Sequence, residues 1–249
     1  MEPEQYQVMA RRETRHWWYA GMRRVALAVL TQALDARRDL SILDAGCGTG
    51  GTTVELQRFG HVVGLDLVWE ALRPAQHRGL RRLTRGSIEA MPFDDASFDV
   101  ATCFEVIYHL GVGSDTAALS ELRRVLRKSG LLLLRVPAHD WLRGEHDRLV
   151  HTRHRYSRSE VVTKLRCAGF TVERITWANS LLFVPAVAKR LLERRTDHGA
   201  DSAGEPDLWQ PPEPLNALLE STVAVEALAI PNGVPLPFGL SLLALARAV

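Results

Sequence analysis

The sequence predicts an α/β fold: a seven-stranded, mostly parallel sheet with helices on both faces and a helical cap at the N-terminus. Two observations support this prediction. Short, continuously apolar runs alternate along the chain with amphipathic stretches of helical period, and strands that crossover helices bury on both faces have this composition. The chain has 249 residues, of which 46% are hydrophobic, and this length suits one α/β domain with a sizeable core.

The predicted elements begin with a long N-terminal helix and continue as alternating strands and helices. The first helix is predicted over 5–38. Strands are predicted at 40–43, 61–66, 83–86, 98–104, 131–136, 171–177 and 238–246. Further helices are predicted at 52–59, 69–76, 115–127, 159–168, 181–192 and 215–230. The last strand is expected to close one edge of the sheet.

We expect a single domain over residues 1–249, divided into three parts. Residues 1–38 form the cap, 40–178 form the cofactor-binding core, and 180–235 form a helical element inserted before the last strand. Within this insertion, residues 196–214 are polar and rich in Asp, Gly and Pro. That composition is typical of a mobile loop.

Charge and cysteine content argue against several classes of function. Lys and Arg number 31 and Asp and Glu 29, a formal net charge of +2, which gives no electrostatic reason to expect nucleic acid or an anionic membrane as partner. The three cysteines are far apart and suggest neither a disulfide framework nor a zinc cluster. The sequence shows no signal peptide and no membrane-spanning run. We therefore expect a cytoplasmic protein that is a monomer or a homodimer.

The clearest functional signal is a glycine-rich turn, residues 44–50, directly after the first predicted strand and directly before a helix. Glycines let a ligand approach the backbone, and free N–H groups at the start of a helix favour an electron-rich partner. Asp66 ends the next strand, where a carboxylate can accept hydrogen bonds from ribose hydroxyls. The sequence thus predicts a nucleoside-containing ligand.

Two kinds of nucleoside ligand are open at this point. Gly46, Gly48 and Gly51 match the spacing of the dinucleotide fingerprint, which favours NAD. Asp44 stands two residues before the first glycine. A carboxylate there repels a pyrophosphate but suits the ammonium group of an amino-acid ligand.

Residues 42–50 read Ile-Leu-Asp-Ala-Gly-Cys-Gly-Thr-Gly, and two further segments, 86–100 and 103–109, follow in order. Together they resemble class I S-adenosylmethionine-dependent methyltransferases. The first segment resembles the family's first motif. The second resembles its motif after strand three with the lead into strand four, and the third resembles the segment after strand four. The resemblance covers about residues 40–136.

This resemblance implies S-adenosyl-L-methionine as cofactor and S-adenosyl-L-homocysteine as product. The implied contacts are Asp44, Gly46, Cys47, Gly48 and Gly50 at the methionine part, Asp66 at the ribose, Leu67, Ser87 and Ile88 at the adenine, and Phe104 at the sugar or methionine. Ser87 stands where the family often has Asp, so it is a weaker acceptor for the adenine amine. Tyr108 stands before His109, where related quinone O-methyltransferases often carry Glu, so we expect no metal.

The first helix contains an aromatic cluster, Trp17, Trp18 and Tyr19. Three adjacent rings cover more than half of a helix's circumference, so at least one leaves the core face. The cluster is either a plug on the sheet or a lid in which Trp18 and Tyr19 contact the acceptor, because aromatic faces attract a cationic methylsulfonium. It resembles the cap of one bacterial branch of the family. Arg23 is either a partner of the cofactor's carboxylate or a solvated cation.

A histidine-rich stretch, residues 139–154, follows the fifth predicted strand. Ligands of open α/β sheets bind beyond the carboxyl ends of the strands, and a histidine oriented by a carboxylate can take a proton from an acceptor. The predicted catalytic residues are His146 or His151 as base, Asp147 as orienting carboxylate and Tyr156 as hydrogen-bond partner. His109 and Trp141 are predicted to line the acceptor pocket. For any single histidine, a surface or structural role is the alternative.

The expected reaction is methyl transfer to carbon, nitrogen or oxygen of a small molecule. The tryptophans favour a flat, apolar acceptor that can stack, such as an aromatic or indole-like secondary metabolite. A glycan or lipid-linked intermediate is the alternative acceptor. A cofactor-binding scaffold without turnover and an NAD-dependent oxidoreductase are the alternative functions.

Overall fold

The computed structural model describes residues 3–144, 147, 151–188 and 211–249. Its centre is a seven-stranded sheet with the strand order β3-β2-β1-β4-β5-β7-β6. The strands are β1 Leu40–Ala45, β2 Gly60–Asp66, β3 Leu83–Arg85, β4 Phe98–Phe104, β5 Leu126–Pro137, β6 Phe170–Ala178 and β7 Ser241–Ala248. Only β7 runs antiparallel to its neighbours. This confirms the predicted sheet.

Helices cover both faces of the sheet. They are α1 Pro3–Arg12, α2 Trp17–Leu34, α3 Gly51–Leu56, α4 Trp69–His77, α5 Asp115–Val125, α6 Arg158–Cys167 and α7 Glu213–Ala229. On one face, α5 and α6 bury leucines and valines against the sheet. On the other, α2 and α7 do the same. Alternate residues of the continuously apolar strands point into these two cores, which explains their composition.

The last strand is not an edge strand, so that expectation was wrong. β7 lies between β5 and β6 and pairs with both. Leu242 points into one core and Leu243 into the other. A strand that is apolar on both faces gains most from burial when neighbours also satisfy both of its backbone edges.

The single helix predicted over 5–38 is two helices, broken at residues 13–16. Asn216 of α7 accounts for the break: its Oδ1 accepts a hydrogen bond from the Trp17 N–H at 3.0 Å, and its Nδ2 donates to the Arg15 carbonyl at 2.8 Å. His16 caps the second helix by accepting from the Trp18 N–H. A residue 200 positions away in sequence thus satisfies the groups that a continuous helix would have paired internally.

The region between β6 and β7 is described in part. Residues 183–188 are helical, and α7 begins at Glu213. Residues 189–210, which hold much of the predicted helix 181–192 and the predicted loop 196–214, lie outside the described residues. The three-part division of the chain stays a prediction. In the described part of the chain, no helix is long and apolar enough to cross a membrane.

Candidate functional site

The glycine turn joins the carboxyl ends of β1 and β2. The N–H groups of Gly46 and Cys47 both donate to the Leu65 carbonyl, at 2.7 and 2.9 Å. Gly46 has φ +80°, and a Cβ there would lie 2.1 Å from a Val106 methyl carbon. Only glycine fits this position, because both the left-handed backbone and the close approach of Val106 exclude a side chain. The turn is therefore a rigid part of the sheet edge.

Asp66 ends β2 with its carboxylate held by backbone N–H groups. Gly48 donates to Oδ2 at 2.9 Å, and Val68 donates to Oδ1 at 3.0 Å. Burial raises the pKa of this carboxyl, and the two backbone hydrogen bonds oppose that shift. Each carboxylate oxygen retains acceptor capacity, so the geometry is compatible with the predicted ribose contact.

Asp44 is buried at the end of β1 and accepts two short hydrogen bonds. Thr53 of α3 donates its hydroxyl to Oδ2 at 2.6 Å, and Thr102 of β4 donates to Oδ1 at 2.8 Å. Burial raises the pKa of this carboxyl as well. Asp44 thus ties two strands and a helix together beneath the turn. Its contact with a ligand ammonium stays a prediction.

Helix α1 lies over the glycine turn. The Met9 methyl carbon is 3.3 Å from the position that a Cβ on Gly48 would take. Tyr6 lies close enough to Asp66 for the two to interact electrostatically; burial raises the pKa of this phenol to about 12, and the charges of Asp66 and Glu70 add to that shift. Helix α1 therefore covers the residues that the sequence predicts to contact the cofactor.

A buried ion pair between Arg78 and Glu13 holds the end of helix α1 in place. Arg78 donates to the Glu13 carboxylate at 2.6 Å and to the Thr49 carbonyl at 2.9 Å. Thr49 donates its hydroxyl to the same Glu13 oxygen at 2.6 Å. Arg23, the predicted partner of the cofactor's carboxylate, donates to the Glu13 carbonyl at 3.2 Å. Sequence reasoning missed Glu13 and Arg78, because their partners are distant in the chain.

A second ion pair brings the aromatic cap to the ends of β4 and β5. Arg135 donates its Nε–H to Glu105 Oε1 at 2.9 Å. Its guanidinium lies 5.3 Å from the ring centre of Trp18 and 5.0 Å from that of Phe104. Tyr19 is close by: burial raises its pKa to about 12, and the charges of Glu105 and Arg135 also act on it.

Three predicted residues, Trp18, Tyr19 and Phe104, therefore meet in this cluster. Arg135 was missed. A single charged residue inside the apolar run 131–136 was its only signal in the sequence.

The remaining predicted cofactor contacts lie at the same edge. Leu67 follows β2 and is 49% exposed, whereas Ile88 is buried in the core. The Ser87 hydroxyl accepts from the Glu89 N–H at 3.1 Å. Burial raises the pKa of the Cys47 thiol, which fits a packing residue. His109 lies close enough to Asp66 to act on its charge.

The structure describes three of the four predicted catalytic residues after β5 and gives the partners of two of them. Asp147 accepts from Arg155 at 2.8 and 3.2 Å and from the Gly144 N–H at 2.8 Å. Tyr156 is fully buried and donates to Asp115 at 2.8 Å. Asp147 and Tyr156 therefore have structural partners, and their catalytic roles stay predictions. His151 is exposed, and His146 lies outside the described residues.

An aromatic cleft opens between the segment after β5 and helix α6, with a volume of about 890 Å³. The rings of His139 and Trp177 stack at 4.7 Å with an interplanar angle of 5°, and Trp141 stands beside them, 48% exposed. Burial lowers the pKa of His139. Its Nε2 is buried without a hydrogen-bond partner among the described residues. The cleft thus combines flat apolar surface with a neutral imidazole.

Over the described ranges, no group of three or more His, Cys, Asp or Glu side chains could hold a metal ion. The polar side chains described around the glycine turn are carboxylates, hydroxyls and arginines.

Part of the chain matches a known protein family. Residues 43–134 match a family described as "Methyltransferase domain". An uncharacterized 37.1 kDa protein in transposon TN4556 of Streptomyces fradiae is 32% identical over 199 residues, 71% of this chain and 57% of that protein. A malonyl-(acyl-carrier protein) O-methyltransferase of Erwinia billingiae is 36% identical over 117 residues, 46% of each chain. The chain spans about half the length of these curated relatives.

The fold is likewise similar to a solved structure. The YcgJ protein of Bacillus subtilis superposes with a TM-score of 0.58 at 20% identity, covering 90% of this chain and 97% of that one. The seven-stranded order with one antiparallel strand agrees with this likeness. Residues 43–134 therefore match a methyltransferase domain, and the described part of the chain has a class I methyltransferase-like α/β fold.

Proposed function

We propose that the protein is an S-adenosyl-L-methionine-dependent methyltransferase that acts on a small molecule. The observation that carries this proposal is the charge around the glycine turn. The Asp44 carboxylate lies directly before the turn at the end of β1, and the Asp66 carboxylate accepts from the Gly48 N–H within the turn. Such a site repels the pyrophosphate of NAD and suits a donor with an ammonium and a sulfonium group.

The residues present fit this cofactor. Asp66 is anchored by two backbone N–H groups and retains acceptor capacity for ribose hydroxyls. When bound, S-adenosyl-L-methionine supplies a methyl group activated for in-line displacement. The protein's part is to align the acceptor with that group.

We assign the acceptor to the aromatic cleft beside β5. Trp177 stacks on His139 and Trp141 stands beside them half exposed, and such an aromatic surface suits a flat ring, which supports an aromatic or indole-like secondary metabolite. If the methylated atom carries a proton, a nearby imidazole takes it. The sequence proposes His146 or His151 as this base, and the cleft presents His139. Asp147 and Tyr156 support the loop around them.

The experiment is a turnover screen. The protein is incubated with S-adenosyl-L-methionine and a library of aromatic, glycan and lipid-linked compounds, and products are detected by mass spectrometry as a gain of one methyl group. Methylation of an aromatic compound supports the proposal, and methylation of a glycan or lipid-linked compound selects the alternative acceptor. Cofactor binding without turnover on any compound would identify a scaffold.

A further inference from the structure

We propose that Arg135 binds the carboxylate of a ligand in this site, either the methionine carboxylate of the donor or a carboxylate on the acceptor. The inference rests on the proposed function and adds a binding residue to it.

Arg135 is a buried cation held in one orientation. It is 7% exposed. Its Nε–H is fixed by Glu105 at 2.9 Å, and the rings of Trp18 and Phe104 lie over the guanidinium. A planar fork fixed in this way is pre-organised for bidentate recognition of a carboxylate.

The terminal nitrogens of this guanidinium are unused by the protein. Its one hydrogen bond to the described residues is the Nε–H bond to Glu105. Neither terminal nitrogen is among the buried atoms without a partner, so both keep some exposure to solvent. A buried arginine with open Nη groups is costly unless a ligand or water satisfies them.

The sheet places Arg135 next to the proposed donor pocket. Arg135 pairs in register with Phe104 on β4, and Thr102 of β4 pairs with Asp44 on β1. Two strand spacings, roughly 10 Å, therefore separate the strands that carry Arg135 and Asp44. The charge of Arg135 also lowers the pKa of Asp44, against the larger effect of burial.

The other arginines near the turn are engaged with α1. Arg78 binds the Glu13 carboxylate and two carbonyl oxygens. Arg23 donates to the Glu13 carbonyl. Among the described residues, the ion-pair partner of Arg135 is instead Glu105, which directly follows β4.

The test is calorimetry on the full chain with two donor analogues. S-adenosylhomocysteine carries the amino-acid group, and 5′-methylthioadenosine lacks it. For Arg135→Gln we expect a loss of about 10- to 150-fold in affinity for S-adenosylhomocysteine, the scale of hydrogen bonds to a charged group. Its affinity for 5′-methylthioadenosine should stay within about threefold of the wild type, which also shows that the variant is folded.

Two further variants guard the result. The double variant Glu105→Gln with Arg135→Gln leaves no unpaired buried charge, so it separates ligand binding from misfolding. Arg23→Gln tests the arginine that the sequence favoured, and we expect a smaller loss from it than from Arg135→Gln.

The acceptor arm uses protein saturated with S-adenosylhomocysteine and titrated with indole-3-carboxylate, with indole as its uncharged control. A loss confined to indole-3-carboxylate would assign Arg135 to the acceptor. If Arg135→Gln leaves the affinities for S-adenosylhomocysteine and for indole-3-carboxylate unchanged, the inference is overturned. If indole-3-carboxylate does not bind the wild type, an unchanged affinity for S-adenosylhomocysteine is enough to overturn it. Failure of the wild type to bind S-adenosylhomocysteine would instead overturn the proposed function.

Discussion

Replacing Asp66 by Asn gives the most specific prediction for the nucleoside site. The carboxylate of Asp66 accepts two backbone hydrogen bonds, from Gly48 and Val68, and its remaining acceptor capacity is assigned to the ribose. Asn keeps the shape but loses the charge and turns one acceptor into a donor. Hydrogen bonds to a charged group are worth about 1.5–3 kcal/mol, so affinity for S-adenosylhomocysteine should fall about 10- to 150-fold.

A matched control is available on β4. Asp99 also accepts a backbone hydrogen bond, from Ser41 at 2.9 Å, and pairs with Arg127 at 2.7 Å, but it stands near the start of its strand, away from the turn. Asp99→Asn should lower the free energy of unfolding without changing affinity for S-adenosylhomocysteine. Titration calorimetry measures affinity, and urea unfolding measures stability. Equal affinities for Asp66→Asn and the wild type would refute the reasoning.

The same site predicts a pH dependence. Ribose hydroxyls donate to the charged form of Asp66, so binding is strongest above the pKa of this carboxyl and weakens as the pH falls through it. Burial raises that pKa, so the loss should begin at a higher pH than for an ordinary Asp, whose pKa is about 3.9. Calorimetry at stepwise lower pH checks this. An affinity that stays constant down to pH values near that ordinary pKa would contradict it.

Two further predictions concern the turn and the cleft. Gly46→Ala places a Cβ 2.1 Å from Val106 at a φ of +80°, so the free energy of unfolding should fall by about 2–4 kcal/mol. Gly79→Ala is the control, because that glycine has a similar φ and nothing within 4 Å, and its free energy of unfolding should fall much less. Equal losses from the two variants would refute the packing argument. Once an acceptor is found, His139→Ala should lower kcat about 100-fold or more if that imidazole is the base. In that case His151→Ala should leave kcat nearly unchanged. The reverse pattern would favour His151 as the base.

Local sequence patterns determined much of the fold. The strand predicted at 98–104 is observed with the same bounds, because a short, mostly apolar run between turns has few other ways to be buried. The misses are tertiary. The helix break at residues 13–16 depends on Asn216, and the interior place of β7 depends on pairing with β5 and β6. Neither partner can be read from the segment itself.

The candidate site divides in the same way. Gly46, Asp44 and Asp66 were found because turn, carboxylate and strand end are adjacent in sequence. Arg135 and Glu13 were missed, because their roles come from partners 30 or more residues away. In the histidine-rich stretch, adjacency in sequence suggested that Asp147 orients a histidine; the structure adds Arg155 as a partner of that carboxylate, which the sequence did not indicate.

The central claim is that the acidic glycine turn binds a methionine-derived nucleoside and not a dinucleotide. Titration calorimetry of the wild-type chain with S-adenosylhomocysteine and, separately, with NAD tests it most directly. We predict that S-adenosylhomocysteine binds, one molecule per chain, and that NAD gives no saturable heat, because the carboxylate of Asp44, directly before the turn, repels its pyrophosphate. Saturable NAD binding without S-adenosylhomocysteine binding would contradict the account.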